Sequence, residues 1–369
     1  MKFDSFLGNP AAVAEVRQMV RGGRVPGALL FAGSDGVGKK NLALMLAKAL
    51  NCERRPPDGD DFCGECSRCR KADEMLAATR EDLERRRNLK DSSRRVEGLV
   101  YFDLQLIEPI TRFILSEQIR QLRNLAYTHP FEFPHRIFVV DQAQAIHWQA
   151  VDLLLKVLEE PPPTTSFILI CPNAHELRPT IRSRCRQIQF APVEESVLES
   201  LLETENEVDA KHRTLAARVA GGSVAKARAF NLAEFIARRK PWVEFLESLA
   251  GKARAAAAEP DWRRLFDSTR ALTEKREELD ETLRTGLMLL RDLLLVREAE
   301  GTDRVENLDL LPQLRIWAQK LDQGRIELLT NGLDQAYRLQ TRNVNQQLGL
   351  DALATALVQL SSQDATAYR

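Results

Sequence analysis

No excess of either charge sign marks the sequence: 53 Lys and Arg stand against 53 Asp and Glu, a formal net charge of +0 at pH 7. A chain without a net field is not drawn as a whole to DNA or to an anionic membrane, so a nucleic-acid contact has to be local or shared with partners. Long apolar runs are missing too, and none could span a bilayer. The opening Met1-Lys2-Phe3-Asp4 passes directly into polar sequence without the apolar core of a signal peptide. These absences predict a cytoplasmic setting. Internal repeats are lacking, and strand signals become scarce after about residue 238.

What is present belongs to a soluble globular chain of 369 residues, 29% charged and 44% hydrophobic, long enough for two or three domains. Its first two hundred residues alternate apolar runs with helical patterns, as a parallel α/β sheet does. Asn9 is placed to cap a helix starting at Pro10, with Val13, Val16 and Val20 facing inward. Strands are expected at Ala28–Phe31, Leu99–Leu104, Ile137–Val140 and Ser166–Cys171. Trp148, Val151, Leu155 and Leu158 form the apolar face of the helix before the last of these, which Pro161-Pro162-Pro163 stops. A short helical segment broken by Gly221-Gly222 follows, and then almost continuous helix with stripes such as Leu283, Leu287, Leu290 and Leu294. The stretch 73–97 is charge-rich, with Arg85-Arg86-Arg87 and Arg94-Arg95. Such a run is ordinarily a solvated face or a mobile insertion, and the alternative is a DNA contact.

Gly33-Ser34-Asp35-Gly36-Val37-Gly38-Lys39-Lys40 matches the phosphate-loop pattern G-x-x-x-x-G-K-S/T except at its last position. The glycines let backbone N–H groups face a phosphate at a helix start, and Lys39 stands where a lysine reaches the β- and γ-phosphates. Lys40, followed by Asn41, replaces the Ser or Thr whose hydroxyl holds Mg²⁺. Whether a nucleotide stays bound is left open by this change. The third strand ends in Asp141-Gln142, where a hydrolysing site has Asp-Glu. Asp141 can hold Mg²⁺ through water, but the Gln142 amide cannot take up a proton. Losses on the metal side and on the water side together predict little or no ATP hydrolysis.

Four of the six cysteines, Cys52, Cys63, Cys66 and Cys69, follow the pattern C-x10-C-x2-C-x2-C. In a chain without export signals this spacing points to a closed four-thiolate structural Zn²⁺ site rather than to disulfides. Cys171 and Cys185 read as packing residues.

Together these motifs resemble the bacterial DNA polymerase III clamp-loader subunits of the AAA+ class. A phosphate loop followed directly by a cysteine cluster is similar to the gamma/tau and delta-prime members. Leu154-Leu155-Lys156-Val157-Leu158-Glu159-Glu160-Pro161-Pro162, Ser183-Arg184-Cys185 and the late Asn343-Val344-Asn345 with Leu348 and Leu350 are similar to further family segments. Lys40, Gln142 and the alanine in Gly222-Ser223-Val224-Ala225, where the family has a nucleotide-sensing arginine, resemble the delta-prime branch rather than the gamma/tau motors. The resemblance implies an AAA+ core over 1–192 with a zinc module at 52–69 and the charged insertion at 73–97. It also implies a helical lid over 193–238 and a helical collar over 239–369 that joins gamma/tau- and delta-type subunits in a ring of five, loading a sliding clamp on primed DNA. Arg184 is then implied to reach a neighbour's ATP site as an arginine finger; the alternative is an ion pair on its own surface. Asn173 falls near the family's sensor position, or is simply a turn asparagine. Two other readings stand beside this one: an ATP-hydrolysing gamma/tau-type motor and a zinc-dependent DNA-binding module.

Overall fold

In the computed structural model, which describes residues 2–56, 59–91, 93–97, 99, 101–206, 208–250, 261–275, 278–298, 304–339 and 344–367, five short apolar runs build one parallel sheet. Asn343 of the late Asn-Val-Asn segment lies outside the described residues. In chain order the elements begin with α1 (Pro10–Gly22), β1 (Ala28–Ala32), α2 (Lys39–Asn51), α3 (Ser67–Arg87), β2 (Leu104–Ile107) and α4 (Ser116–Ala126). Next come β3 (Arg136–Val140), α5 (Val151–Glu159), β4 (Thr165–Cys171), α6 (Pro179–Arg182), β5 (Arg186–Gln189) and α7 (Glu195–Glu205). Beyond them are α8 (Arg213–Val219), α9 (Val224–Arg228), α10 (Leu232–Ala250), α11 (Trp262–Thr273), α12 (Leu279–Arg297), α13 (Leu311–Lys320), α14 (Gln323–Leu339) and α15 (Gln346–Ala367). The chain forms two units, Met1–Glu205 with Ala220–Arg228, and Asn206–Val219 with Ala229–Arg369.

In the first unit the strand order is β2-β3-β4-β1-β5, all parallel. Every residue of β1 to β4 is buried because helices cover both faces. Successive side chains sort to opposite sides. Leu29, Phe31, Ile137, Val139, Ile168 and Ile170 pack with α1, α2 and α3, while Leu30, Phe138, Val140, Phe167 and Leu169 pack with α4 and α5. At the outer edge of the sheet, β5 buries only Ile188. Since all strands point the same way, the loops after β1 and β3 emerge on the same side, separated only by β4. That edge is where ligands bind in open parallel sheets.

Several expectations need correcting. The second strand is Leu104–Ile107, not Leu99–Leu104. The helix at Pro10 starts as expected, but Asn9 adopts the left-handed conformation and its side chain bonds both backbone groups of Ala191 instead of capping. Trp148 is 63% exposed, because it sits in a 3-10 turn before α5 rather than on its buried stripe. The charged stretch is not simply a solvated helix: α3 turns Cys69, Ala72, Met75, Leu76, Leu83 and Arg86 inward. Arg86 is 2% exposed and ties down the following turn by donating to the Arg95 and Glu97 carbonyls.

A buried ion pair fixes the sheet's β2–β3 edge. Arg136 Nη2 lies 2.9 Å from Asp103 Oδ1, with side chains 0% and 1% exposed. The other Asp103 oxygen accepts the N–H groups of Phe131, Glu132 and Phe133, and Arg136 also donates to the carbonyls of Leu125, Thr128 and His129. Every charged atom therefore has a partner, which is the condition for tolerating such a pair inside a protein.

The second unit is helical throughout its described residues, with Trp242, Leu283, Leu290, Leu314, Leu329 and Leu333 central to one apolar cluster. Gly286 is required there: a Cβ at that position would stand 2.6 Å from the Trp242 ring. Buried Asp292 accepts from the N–H groups of Glu306 and Asn307, and Asn307 in turn accepts from Arg239. No described helix is long and apolar enough to cross a membrane.

Candidate functional site: a glycine-rich loop and a cysteine cluster

The chain leaves β1 at Ala32, and Gly33 donates its N–H to the Cys171 carbonyl at the end of β4. Two glycines then make the turn. Gly36 (φ 79°) has no room for a Cβ, which would stand 2.0 Å from Ser223 Oγ, and Gly38 (φ 97°) starts α2 against the Phe6 ring. A cavity of about 540 Å³ opens over this turn, with Lys39, Lys40, Asn41, Asp141, Ala225 and Arg228 in its walls. Of the residues singled out in the sequence, Gly36, Gly38, Lys39, Lys40, Asn41, Asp141, Gln142 and Ala225 meet here, and Gly33 and Asn173 are not in the walls. Asn173 accepts the His175 N–H at 2.9 Å, an Asx turn.

The lysines behave differently. Lys39, 6% exposed, donates to the Gly33 carbonyl and, at 2.7 Å, to that of Ser34, clipping the loop from inside. Burial pushes its pKa below the usual lysine value. Lys40 extends the other way, with Nζ 2.9 Å from Asp141 Oδ2 and 2.9 Å from Glu108 Oε1. Burial alone would lower its pKa, but the bonds to the two carboxylates outweigh that and raise it. Glu108 is likewise pulled below the usual carboxylate range: burial opposes its charge, and Lys40 and Arg87 overcome that. Arg87, the last residue of α3, closes the chain of charges at 3.0 Å from Glu108 Oε2. Gln142 follows with left-handed backbone (φ 54°), its N–H bonded to Asp141 Oδ1.

Sequence reasoning missed Glu108, Arg87 and Arg228. Glu108 directly follows β2, so it reaches the same sheet edge as Asp141 once the strand is placed at Leu104–Ile107. Arg228 lies one turn beyond Ala225 on α9 and pairs with Glu205 at 2.6 Å.

At the other end of α2, Cys52 is the residue after the helix, and Cys66 caps the start of α3. The sulfurs of Cys52, Cys63, Cys66 and Cys69 all lie within 4.8 Å of one another. Individual separations are 3.7 Å (Cys52–Cys63), 3.9 Å (Cys52–Cys66) and 4.0 Å (Cys63–Cys69). Four sulfurs about 2.3 Å from a tetrahedral ion would stand about 3.8 Å apart, so the donor set fits a metal without rearrangement. Backbone N–H groups of Cys63, Glu65, Cys66 and Cys69 point at the sulfurs, as suits thiolates. The four differ without a metal: burial resists ionisation of Cys66, but the N–H groups of Cys69 and Glu53 bring it down to about 6, whereas burial pushes Cys52 and Cys69 up.

The family model described as DNA polymerase III, delta subunit, matches residues 8–194, just over half of the chain. The chain belongs to that family. Among curated relatives, this DNA polymerase III delta-family chain is 30% identical to the Escherichia coli DNA polymerase III subunit tau over 207 residues, which is 55% of this chain and 28% of the relative. It is 28% identical to the Buchnera aphidicola subunit gamma over 191 residues, 52% of this chain and 44% of the relative. The chain thus spans less than half the length of the curated relatives it matches. Among solved structures, a DNA polymerase III gamma subunit-related protein from Thermotoga maritima aligns with TM-score 0.45 and 14% identity over 94% of this chain and 99% of that one. In this delta-family member Arg184 sits exposed between α6 and β5, 2.5 Å from Glu159 Oε1 at the end of α5 and donating to the Thr180 carbonyl. Cys185 and Cys171 pack against the sheet face that carries α4 and α5.

Proposed function

We propose that the chain is a delta-prime-type subunit of a bacterial DNA polymerase III clamp loader, holding a structural Zn²⁺ at Cys52, Cys63, Cys66 and Cys69 and hydrolysing little or no ATP itself. The observation that carries this reading is the Lys40 ammonium, 2.9 Å from Asp141, on the carboxylate that would help hold the catalytic metal. Gln142 and Ala225 remove the water-activating carboxylate and the sensing arginine from the same cavity edge. The matched family and the names of the relatives support a place in the polymerase assembly. Zinc would act only as a cross-link joining the end of α2 to the start of α3. Residues 193–238 would serve as a lid and 239–369 as a collar joining gamma/tau- and delta-type subunits in a ring of five around primed DNA and its sliding clamp. Because its relatives are named gamma and tau, the second reading is an ATP-hydrolysing motor, and turnover by the purified chain distinguishes the two.

In the proposed ring Arg184 works in a neighbour's ATP site, exchanging Glu159 for a γ-phosphate. A planar fork of donors suits a phosphate better than a point charge, so Arg184→Lys should be nearly as damaging as Arg184→Ala. An arginine supplied in trans is worth about 10³- to 10⁵-fold in rate. Loader assembled with Arg184→Ala should keep its composition and zinc content but lose most of its clamp- and DNA-stimulated ATPase. Normal stimulated ATPase would reduce Arg184 to the surface partner of Glu159.

A further inference from the structure

The surroundings of Lys40 say more than that hydrolysis is lost. A phosphate loop normally gives a hydroxyl to Mg²⁺, and an acidic residue on a neighbouring strand completes the ion's shell. Here the residues do not fit a divalent ion. The Lys40 ammonium already lies 2.9 Å from one oxygen each of Asp141 and Glu108. The second oxygen of Glu108 is held by Arg87 at 3.0 Å. A divalent cation brought to Asp141 would meet a fixed positive charge at hydrogen-bond distance and find no hydroxyl to bind.

The glycine turn and the cavity a phosphate chain needs are nevertheless present, and because Lys39 is spent on the Gly33 and Ser34 carbonyls, Lys40 is the lysine with a donor to offer. The loop keeps its positive-φ glycines, Lys39 is buried beneath it, and the cavity of about 540 Å³ is of the size that holds a small ligand. An ammonium has three donors, and Lys40 spends two of them on Glu108 and Asp141, so one remains for a phosphate oxygen. We infer that Lys40 is a built-in substitute for the metal, and that the cavity takes the phosphate chain of a nucleotide without a divalent cation. This deepens the reading of the loop as a non-hydrolysing phosphate site and rests on it. Arg87 makes the arrangement possible from a distance, because it neutralises the carboxylate that would otherwise repel the phosphates.

The test is a titration of the full chain with a fluorescent ADP analogue, in magnesium-free buffer and in buffer with Mg²⁺. No chelator is used, so the cysteine cluster is left alone. Saturable binding in magnesium-free buffer, unchanged or weakened by Mg²⁺, is the expected result. Lys40→Thr, which restores the hydroxyl and removes the resident charge, should reverse the preference and bind at least about tenfold more tightly with Mg²⁺ than without it. Binding by the unaltered chain that tightens about tenfold or more with Mg²⁺ would overturn the inference. So would the absence of saturable binding in both buffers, and the unaltered chain decides the matter even if Lys40→Thr fails to fold. ATP turnover followed in the same samples addresses the non-hydrolysing reading separately: turnover would sink that reading, whereas metal-free binding without turnover supports both.

Discussion

Helix α2 has a site at each end, and the two meet the problem of concentrated charge in opposite ways. At its C-terminal end four sulfurs converge within 4.8 Å of one another, so binding together as thiolates would call for a cation. At its N-terminal end Asp141 and Glu108 also converge, but the cation is covalently part of the chain, as Lys40. On the proposed reading the two ends differ in which side chain stands between the anions, and not in how well the surrounding loop matches a metal-site pattern. The cysteine end would then depend on something supplied and the phosphate end would not, which sets an order of sensitivities.

The largest effect is expected from removing the external cation. Cys66→Ala deletes a sulfur that is itself the cap of α3 and receives the Cys69 N–H. The free energy of binding zinc to a closed site is folding free energy, on the order of 10 kcal/mol in small zinc domains, so losing a ligand should cost several kcal/mol. Metal analysis should find about one zinc per unaltered chain and essentially none in Cys66→Ala, together with a lower thermal midpoint and new proteolysis between Cys52 and Arg87. If the variant loses only about 1 kcal/mol, as an ordinary mutation does, the cysteines are packed thiols and the contrast between the two ends collapses.

Arg136 provides a scale for an internal cation in full burial. It and Asp103 are 0% and 1% exposed, whereas Lys40 keeps 39% of its side chain accessible. Arg136→Ala strands the Asp103 charge and should cost about 3–5 kcal/mol in denaturant unfolding. Lys40→Met leaves Asp141 and Glu108, 16% and 14% exposed, without the ammonium, but Arg87 still holds Glu108, so the loss should be smaller, about 1–2 kcal/mol. Similar losses in both variants would mean that the Lys40 network is a structural strut rather than part of a binding site.

The difference between the ends also explains what was legible in the sequence. All four cysteines lie within one short stretch, and their spacing alone brings the sulfurs together once the backbone turns. The glycines and Lys39 were legible for the same reason. Glu108 and Arg87 were not, since topology rather than spacing brings them to Lys40. Glu108 was hidden further by the misplacement of β2, whose Gln105 breaks an apolar run but is buried, accepting the Phe102 N–H. Helical periodicity overreached at Trp148 because the chain there is a tighter turn whose side chains do not continue the stripe of α5. At Asn9 a side chain suited to capping bonds to Ala191, far along the sequence, instead.

The smallest effect, on turnover, is expected from an attempt to make the phosphate end resemble a motor. Lys40→Thr with Gln142→Glu restores the metal hydroxyl and the acidic neighbour of Asp141. The two positions face the same cavity, but the change removes the Lys40 cation and adds a carboxylate beside Asp141, so unfolding should shift by at least as much as in Lys40→Met, about 1–2 kcal/mol. Zinc content should not change, because the cysteine cluster lies beyond the other end of α2. The double variant should acquire Mg²⁺-dependent nucleotide binding, yet its turnover as an isolated chain should stay near background. Ala225 still offers no charge to the cavity, Arg228 in the same wall is paired with Glu205, and an arginine supplied in trans, worth about 10³- to 10⁵-fold, has no donor in a single chain. Steady-state phosphate release in Mg²⁺ measures this directly. Vigorous turnover by the isolated double variant would show that the phosphate end lacks only those two side chains, so that it differs from a motor site in two residues rather than in its whole arrangement of charge.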